Sequence, residues 1–357
     1  MTRHFRLHVS VLSLMLLSAA PHAVLAQQAT SPAATVQTAP APAVTVPDPA
    51  AMAVAQSIRA AFQQYLFDPA LLSKPEFVAM DAQMMEAAAK ADSVETFRKA
   101  FNALWRKGPL SHVVLRKADA PVDQTMAFLD TLRVGEGARL DWNGDVAVLT
   151  VKTMMGLDTI EQIDAAYVEI AARKPKALII DLRANEGGAF AVVPLVQHLL
   201  KKPLDAGVFV ARPWAVTEGR APTPSDIRRV RPWTGWSIRD FWRSVREDKI
   251  TRITFAPQGP HYGGPVYVLT SKRTASAAEM AADALKGTGH ATLIGEQTAG
   301  KMLSQMPVDL PHGMQLYLPV ADYYAFRGGR IEGQGVAPDI AISADAAMDE
   351  ALARARR

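Results

Sequence analysis

The sequence predicts a layered α/β fold that is preceded by a small helical segment. An amphipathic helical pattern runs through residues 51–132, and from residue 133 onward apolar runs of strand length alternate with helical stretches. This alternation is typical of domains in which helices cover a mostly parallel sheet. Hydrophobic residues make up 49% of the 357 residues, which is enough apolar material for a sizeable core.

The first 26 residues have the pattern of a signal peptide. Arg3 and Arg6 precede an apolar run, and small residues around Ala26 offer a cleavage site. The run is shorter than the roughly 20 residues of a spanning helix, although an uncleaved anchor stays open as the alternative. We therefore expect an exported protein, periplasmic or extracellular, that does not span a membrane after cleavage. Residues 27–50 are rich in Pro and Ala and predict an extended linker.

The elements that follow divide the chain into two parts. Helical patterns predict an N-terminal helical segment over residues 51–132, and Ser93 is the expected N-cap of one of its helices. Residues 133–357 predict a catalytic α/β domain, in which the apolar runs are separated by helical patterns. The predicted helices lie at residues 51–66, 77–91, 93–106, 124–132, 159–173, 192–200 and 276–285, and the predicted strands at 146–151, 177–181, 266–270, 291–294 and 314–320.

Residues 201–262 interrupt the alternation and are interpreted as an insertion rich in Trp and Arg. Up to residue 252 this insertion holds 12 Lys and Arg against 6 Asp and Glu, whereas the whole chain has a net charge of only +4. A lid or cleft wall for acidic or extended ligands is one interpretation, and a surface segment whose Arg stems cover its tryptophans is the other. The modest net charge does not favour nucleic acid as a partner.

Composition and failed motifs exclude several kinds of site. The chain has no Cys, which excludes disulfide scaffolds, iron–sulfur clusters and cysteine nucleophiles. Residues 295–301 match a GxxxxGK phosphate loop, but Met302 stands where a magnesium-binding hydroxyl is needed and Pro307 opposes a following helix. The histidines are scattered singly, so we expect no metal and no cofactor.

Ser276 is the strongest candidate for a reacting side chain. It follows the predicted strand 266–270 and begins a predicted helix, where a serine is often only an N-cap. A serine at a strand-to-helix turn, however, also presents its hydroxyl beside free backbone N–H groups that can hold an oxyanion. Lys301 follows the next predicted strand, which can return it to the same sheet edge as a base.

Four segments in order resemble the C-terminal-processing (tail-specific) serine peptidases and their tricorn-core relatives. They are DLRANEGG, TASAAEMAADAL, GEQTAGKMLSQ and IEGQGVAPDI, and the resemblance extends over roughly Phe97–Ile342. It implies the layered ββα fold of the ClpP/crotonase superfamily and a serine endopeptidase that acts on proteins or peptides through an acyl-enzyme. Between His112 and Asp145 there is no room for a PDZ domain, so the resemblance is to a PDZ-less member.

The resemblance also implies roles for individual residues. Ser276 would be the nucleophile, Lys301 its general base, and Gln305 the group that orients the lysine amine. Such a base must be neutral, which requires burial that lowers its pKa from about 10.4. The implied oxyanion donors are the backbone N–H groups of Ala277 and of Gly188 or its neighbour Gly187.

Two alternatives remain open on the sequence alone. His112 stands where tricorn-type relatives carry their catalytic histidine, and Glu332 resembles its acidic partner. Ser276 with these two residues would form a Ser–His–acid triad. The other alternative is a non-catalytic ligand-binding protein on the peptidase scaffold.

Overall fold

Two six-stranded sheets form the framework of the protein in the computed structural model, which describes residues 46–357. The predicted signal peptide at 1–26 and residues 27–45 of the predicted linker lie outside the described residues. In the described part of the chain no helix is both long enough and apolar enough to cross a membrane.

Three helices open the described chain: α1 (Pro49–Tyr65), α2 (Pro75–Lys90) and α3 (Val94–Trp105). The first begins inside the predicted linker, because the Asp48 carboxylate caps it by accepting from the Ala50 N–H. Ser93 caps α3 as the sequence predicts, and its hydroxyl accepts from the Thr96 N–H at 3.1 Å. A 3₁₀ turn at Pro69–Ser73 joins the first two helices.

The remaining elements are strands and helices, with a second 3₁₀ turn at Pro311–Gly313. In chain order they are β1 (Val114–Lys117), α4 (Val122–Leu129), β2 (Ala138–Asn143), β3 (Val146–Val151), α5 (Leu157–Arg173), β4 (Ala177–Asp181), α6 (Val192–Gln197), β5 (Leu204–Ala211), α7 (Arg212–Thr217), α8 (Pro224–Arg228), α9 (Ile238–Glu247), β6 (Ile250–Phe255), β7 (Val266–Thr270), α10 (Ala277–Lys286), β8 (Ala291–Gly295), β9 (Ser304–Leu310), β10 (Met314–Ala325), β11 (Gly329–Arg330), β12 (Ile340–Ala341) and α11 (Ala347–Ala355).

One sheet has the strand order β12-β8-β7-β4-β3-β2 and is parallel except for the β2–β3 hairpin. Parallel neighbours need crossover connections, which α5 and α10 supply. Along β4 successive side chains alternate between two cores: Ile180 faces α5 and α10, whereas Ile179 faces α11. The layered α/β class predicted from the sequence is confirmed.

The other sheet is antiparallel and is organised around β10, which pairs with β1, β5, β9 and β11. The N-terminal helices pack on it through an aromatic cluster in which Phe62 lies 5.2 Å from Phe77 and 5.0 Å from Trp105, between ring centroids. Residues 201–262, interpreted as an insertion, contribute β5 and β6 to this sheet together with three short helices. The segment is thus partly built into the core of the protein.

The parallel sheet brings the sequence motifs together. The strands β4, β7 and β8 end at one edge, because they run side by side in the same direction. The loops 182–188 and 271–276 follow the first two of these strands, and the loop 296–303 follows the third. Since ligands of parallel sheets bind beyond the carboxyl ends of the strands, this edge is where a site is expected.

Candidate active site

Ser276 occupies a strained turn between β7 and α10. Its backbone has φ 56° and ψ −126°, a conformation that non-glycine residues rarely adopt. Its N–H donates to the Lys301 carbonyl at 2.9 Å and to Glu279 Oε2 at 3.0 Å. The turn is therefore held by contacts with other parts of the chain, and it brings Ser276 to the wall of a cavity of about 600 Å³.

The Glu279 carboxylate joins the Ser276 turn to the loop after β8. Glu279 is fully buried and also accepts from Thr298 Oγ1 at 2.5 Å, from the Gly300 N–H at 2.7 Å and from the Lys301 N–H at 2.8 Å. Burial raises the pKa of the Glu279 carboxyl, whereas the hydrogen bonds that it accepts act in the opposite direction. One side chain thereby fixes two loops that the sequence separates by more than 20 residues.

Two residues that line the cavity with Ser276 have backbone N–H groups without partners in the described part of the chain. Among the described residues, neither the Ala277 N–H nor the Gly188 N–H meets a hydrogen-bond acceptor. The Gly187 N–H, in contrast, donates to Asn185 Oδ1 at 2.8 Å. Of the two glycines implied by the family resemblance, Gly188 thus has the free donor.

The two glycines are required by close approach. A Cβ added at Gly187 would lie 2.6 Å from the Ser276 Cβ, and one at Gly188 would lie 2.5 Å from the Met155 backbone nitrogen. Both glycines also have positive φ, at 98° and 144°. A side chain at Gly187 would push the loop after β4 away from the serine, and one at Gly188 would push it away from Met155.

His112 lies on the same cavity and is connected to Glu332 through Ser111. The Ser111 hydroxyl lies 2.7 Å from His112 Nδ1 and 3.0 Å from Glu332 Oε2, and the Ser111 N–H donates to Glu332 Oε1 at 3.1 Å. Burial, followed by the positive charge of Lys301, lowers the pKa of His112 to about 4. The imidazole is therefore neutral at physiological pH.

Ser111 is a residue to which the sequence analysis gave no role. Its position directly before a candidate histidine is the one hint of a role in the sequence. Its hydrogen bond to Glu332, 221 residues away, cannot be predicted from local pattern. Glu279 was likewise quoted only as part of a motif.

The cavity brings together most, but not all, of the predicted site residues. The Lys301 side chain is exposed, and in the described part of the chain its ammonium makes no hydrogen bond or ion pair. Glu332 is buried behind Ser111, where it also accepts from the Met302 N–H at 2.6 Å. The predicted residues that line the cavity are Ser276, Ala277, Gly188, His112 and Gln305.

The segment 201–262 supplies much of the opposite side of the cavity. Trp233, Trp236 and Trp242 all line it, whereas Trp214 lies elsewhere, under the guanidinium of Arg220. Within residues 46–357, no three His, Asp or Glu side chains are grouped so that they could hold a metal ion.

Comparison with known proteins relates the chain to proteolytic enzymes. The sequence profile of peptidase family S41 matches residues 145–342, more than half of the chain. A chloroplastic C-terminal processing peptidase of Tetradesmus obliquus is 31% identical over 185 residues, which are 52% of this chain and 32% of that protein. The carboxy-terminal processing protease CtpB of Bacillus subtilis is 37% identical over 185 residues, 52% of this chain and 31% of that protein. The matched region is thus about a third of the length of these relatives.

A solved structure shares the fold. The photosystem II D1 C-terminal processing protease superimposes with a TM-score of 0.51 at 15% identity, covering 83% of this chain and 94% of that chain.

The buried carboxylate of Glu279 leads to a test of how the site is held together. In Glu279→Gln, an amide nitrogen would replace an oxygen that accepts from backbone N–H groups. We expect the free energy of unfolding to fall by about 2–4 kcal/mol. Urea unfolding followed by circular dichroism at pH 7 measures this change. The matched control is Glu76→Gln on the exposed first turn of α2, which should change the value by less than about 0.5 kcal/mol. Equal stability of the two variants would contradict the central role of Glu279.

Proposed function

This chain belongs to peptidase family S41, and we propose that it is an exported serine endopeptidase that hydrolyses peptide bonds of proteins or peptides. The observation that carries the proposal is the meeting of three groups at one cavity. The hydroxyl-bearing Ser276, an imidazole and two unpartnered N–H groups all face the same space. These are the nucleophile, base and oxyanion donors that acyl transfer requires.

The geometry supports His112 as the general base. Since Glu332 can only accept, the Ser111 hydroxyl donates to it and accepts from His112 Nδ1–H. This order places the imidazole proton on Nδ1 and leaves the Nε2 lone pair free. His112 Nε2 can then take the Ser276 proton while Oγ attacks the substrate carbonyl carbon.

The remaining steps conserve protons and use groups at the same cavity. The Ala277 and Gly188 N–H groups donate to the oxyanion, and the His112 imidazolium passes its proton to the departing amine nitrogen as the C–N bond breaks. Water then loses a proton to His112 and attacks the acyl-enzyme. Breakdown of the second tetrahedral intermediate returns that proton to Ser276 Oγ and releases the carboxylic acid.

Lys301, the base that the sequence resemblance favoured, has weaker geometric support. A lysine base needs burial to become neutral, and the side chain of Lys301 is exposed. The charge of Lys301 instead acts on His112, whose pKa it helps to lower. We therefore assign Lys301 an electrostatic role and retain Gln305 as a lining residue of the cavity.

Export and substrate choice complete the proposal. The signal-peptide pattern at residues 1–26 supports a periplasmic or extracellular location. The interval between α4 and β2 is too short for a PDZ domain, so substrate choice falls to the cleft. Proteins and peptides are the proposed partners, without nucleic acid, metal or cofactor.

Degradation of casein by the mature protein (residue 27 onward) tests the catalytic assignments. Ser276→Ala and His112→Ala should each lower the rate by at least about a thousandfold, because both take part in the bond-making step. Lys301→Ala should keep the rate within about tenfold, since it changes only the electrostatic setting of the base. Circular dichroism of each variant serves as the folding control.

Two results would change the assignment. An inactive Lys301→Ala together with an active His112→Ala would make lysine the base. A folded wild-type protein that neither cleaves casein nor reacts with a fluorophosphonate would contradict the peptidase and favour the binding-protein alternative.

The pH profile offers a second test of the base. Because neutral His112 is the active form and its pKa is lowered to about 4, kcat/KM should stay high on acidification and fall only near that pH. In Lys301→Gln the nearby positive charge is lost, so the pKa of His112 and the acid limb should move upward. The matched control is Lys272→Gln, an exposed lysine that should leave the limb in place. Activity that instead rises steeply above pH 7 would indicate a lysine base.

A further inference from the structure

Five aromatic side chains form one side of the cavity beside Ser276, and we call them the aromatic wall: Phe190, Trp233, Trp236, Phe241 and Trp242. The rings of Phe190 and Trp233 are stacked, with centroids 5.6 Å apart and planes at 9°. Phe241 meets both of them edge-on, at 5.9 Å and 5.0 Å. The wall is therefore an ordered surface that is built mainly from the segment 201–262.

The wall is left open to the cavity although it is apolar. Trp236 is 52% exposed, and the cavity of about 600 Å³ has the size of a ligand site, well above a packing defect. Leaving large aromatic surface in contact with water is unfavourable. An apolar group that fills the cavity would recover that free energy.

Of the charged side chains in the lining, Glu186 forms an ion pair, whereas Arg116 has an aromatic contact but no ion pair among the described residues. Arg116 lies over the Tyr317 ring at 4.9 Å, and Glu186 pairs with Arg273 at 3.2 Å. Thr254, a polar group of the lining, donates its hydroxyl to Asp205 at 2.7 Å. The cavity lining is therefore mainly apolar and suits an apolar group better than a charged one.

Resting on the proposed function, we propose that the cavity binds a large apolar side chain of the substrate residue that supplies the acyl group. The aromatic wall lines the same cavity as Ala277 and Gly188, the proposed oxyanion donors. A carbonyl held by those donors has its own side chain within reach of the wall. Phe, Trp, Leu and Met are the side chains that gain most from such a surface.

A pair of acetylated hexapeptides tests the pocket, identical except for Phe or Ala at the acyl-donating position. The wild type should cleave the Phe peptide with a kcat/KM at least about tenfold higher than that of the Ala peptide. Trp236→Ala should reduce this ratio by about threefold or more, and since Trp236 is half exposed its removal should leave the fold intact. The matched control is Val216→Ala, an exposed residue of the same segment outside the cavity, which should keep the ratio. A ratio near one, or one that Trp236→Ala leaves unchanged, would overturn the pocket.

A binding experiment separates the pocket from the proposed function. In the Ser276→Ala variant, tryptophan fluorescence should report at least about tenfold tighter binding of the Phe peptide than of the Ala peptide. Such a preference without any cleavage by the wild type would support the pocket and contradict the peptidase. Cleavage by the wild type with equal binding of both peptides would support the peptidase and contradict the pocket.

A separate observation concerns how the wall is held in place. Asp130, at the end of α4, accepts from the Ser237 hydroxyl at 2.8 Å and from the Ile238 N–H. Ser237 is the N-cap of α9, and Phe241 and Trp242 lie on that helix. A carboxylate at a helix N-terminus interacts favourably with the helix dipole. We infer that Asp130 is a positioning residue through which the N-terminal helical segment fixes the aromatic wall.

The same two peptides test this second inference. Asp130→Asn should lower the Phe-to-Ala ratio of kcat/KM by about threefold while the Ala peptide is cleaved at the wild-type rate. A merely structural role would lower both rates by the same factor and leave the ratio unchanged, which would overturn the inference. Asp123→Asn, on the exposed first turn of the same helix, is the matched control and should behave as the wild type.

Discussion

The buried carboxylate of Glu279 is the interaction on which the site depends. A charge without access to water is strongly unfavourable unless its oxygens are well hydrogen-bonded. Glu279 meets this requirement through three backbone N–H groups and one hydroxyl, which come from the Ser276 turn and from the loop 298–301. The Ser276 N–H donates both to Glu279 and to the Lys301 carbonyl. These hydrogen bonds hold the Ser276 backbone in its strained conformation.

The electrostatics of His112, the proposed base, follow from the same arrangement. The loop that Glu279 anchors also carries Lys301, whose charge helps to lower the pKa of His112. Glu332 stabilises the other side of the imidazole indirectly, since Ser111 stands between them. Burial and the charge of Lys301 together lower the pKa of His112, and the Ser111 hydroxyl, which donates to Glu332, favours the tautomer with its proton on Nδ1.

The sequence predicted those parts of the protein that local patterns specify. The helices α1 to α3 and the strands β3, β4, β7 and β8 have strong periodicity, and the family motifs located Ser276. The strands β5, β6 and β9 were missed because Gly207, Arg252 and Pro307 interrupt their apolar pattern. For those strands, pairing with β10 or with each other outweighs the local signal.

The exposure of Lys301 was also beyond the reach of local pattern. A lysine base requires burial, and the neighbours of Lys301 in the sequence do not reveal that its side chain is exposed. Whether a side chain is buried depends on what packs over it, and that information is carried by residues that lie elsewhere in the chain.

Ser276 and His112 both have positive φ, which lowers the stability of the fold at two side chains of the proposed reaction. Each non-glycine residue in this region costs of the order of 1–3 kcal/mol of folding free energy. Glycine would relax either position, so selection for stability alone would remove the very side chains that the proposed reaction needs. Because the proposed reaction needs both side chains, stabilising substitutions are better sought in parts of the chain away from these two turns.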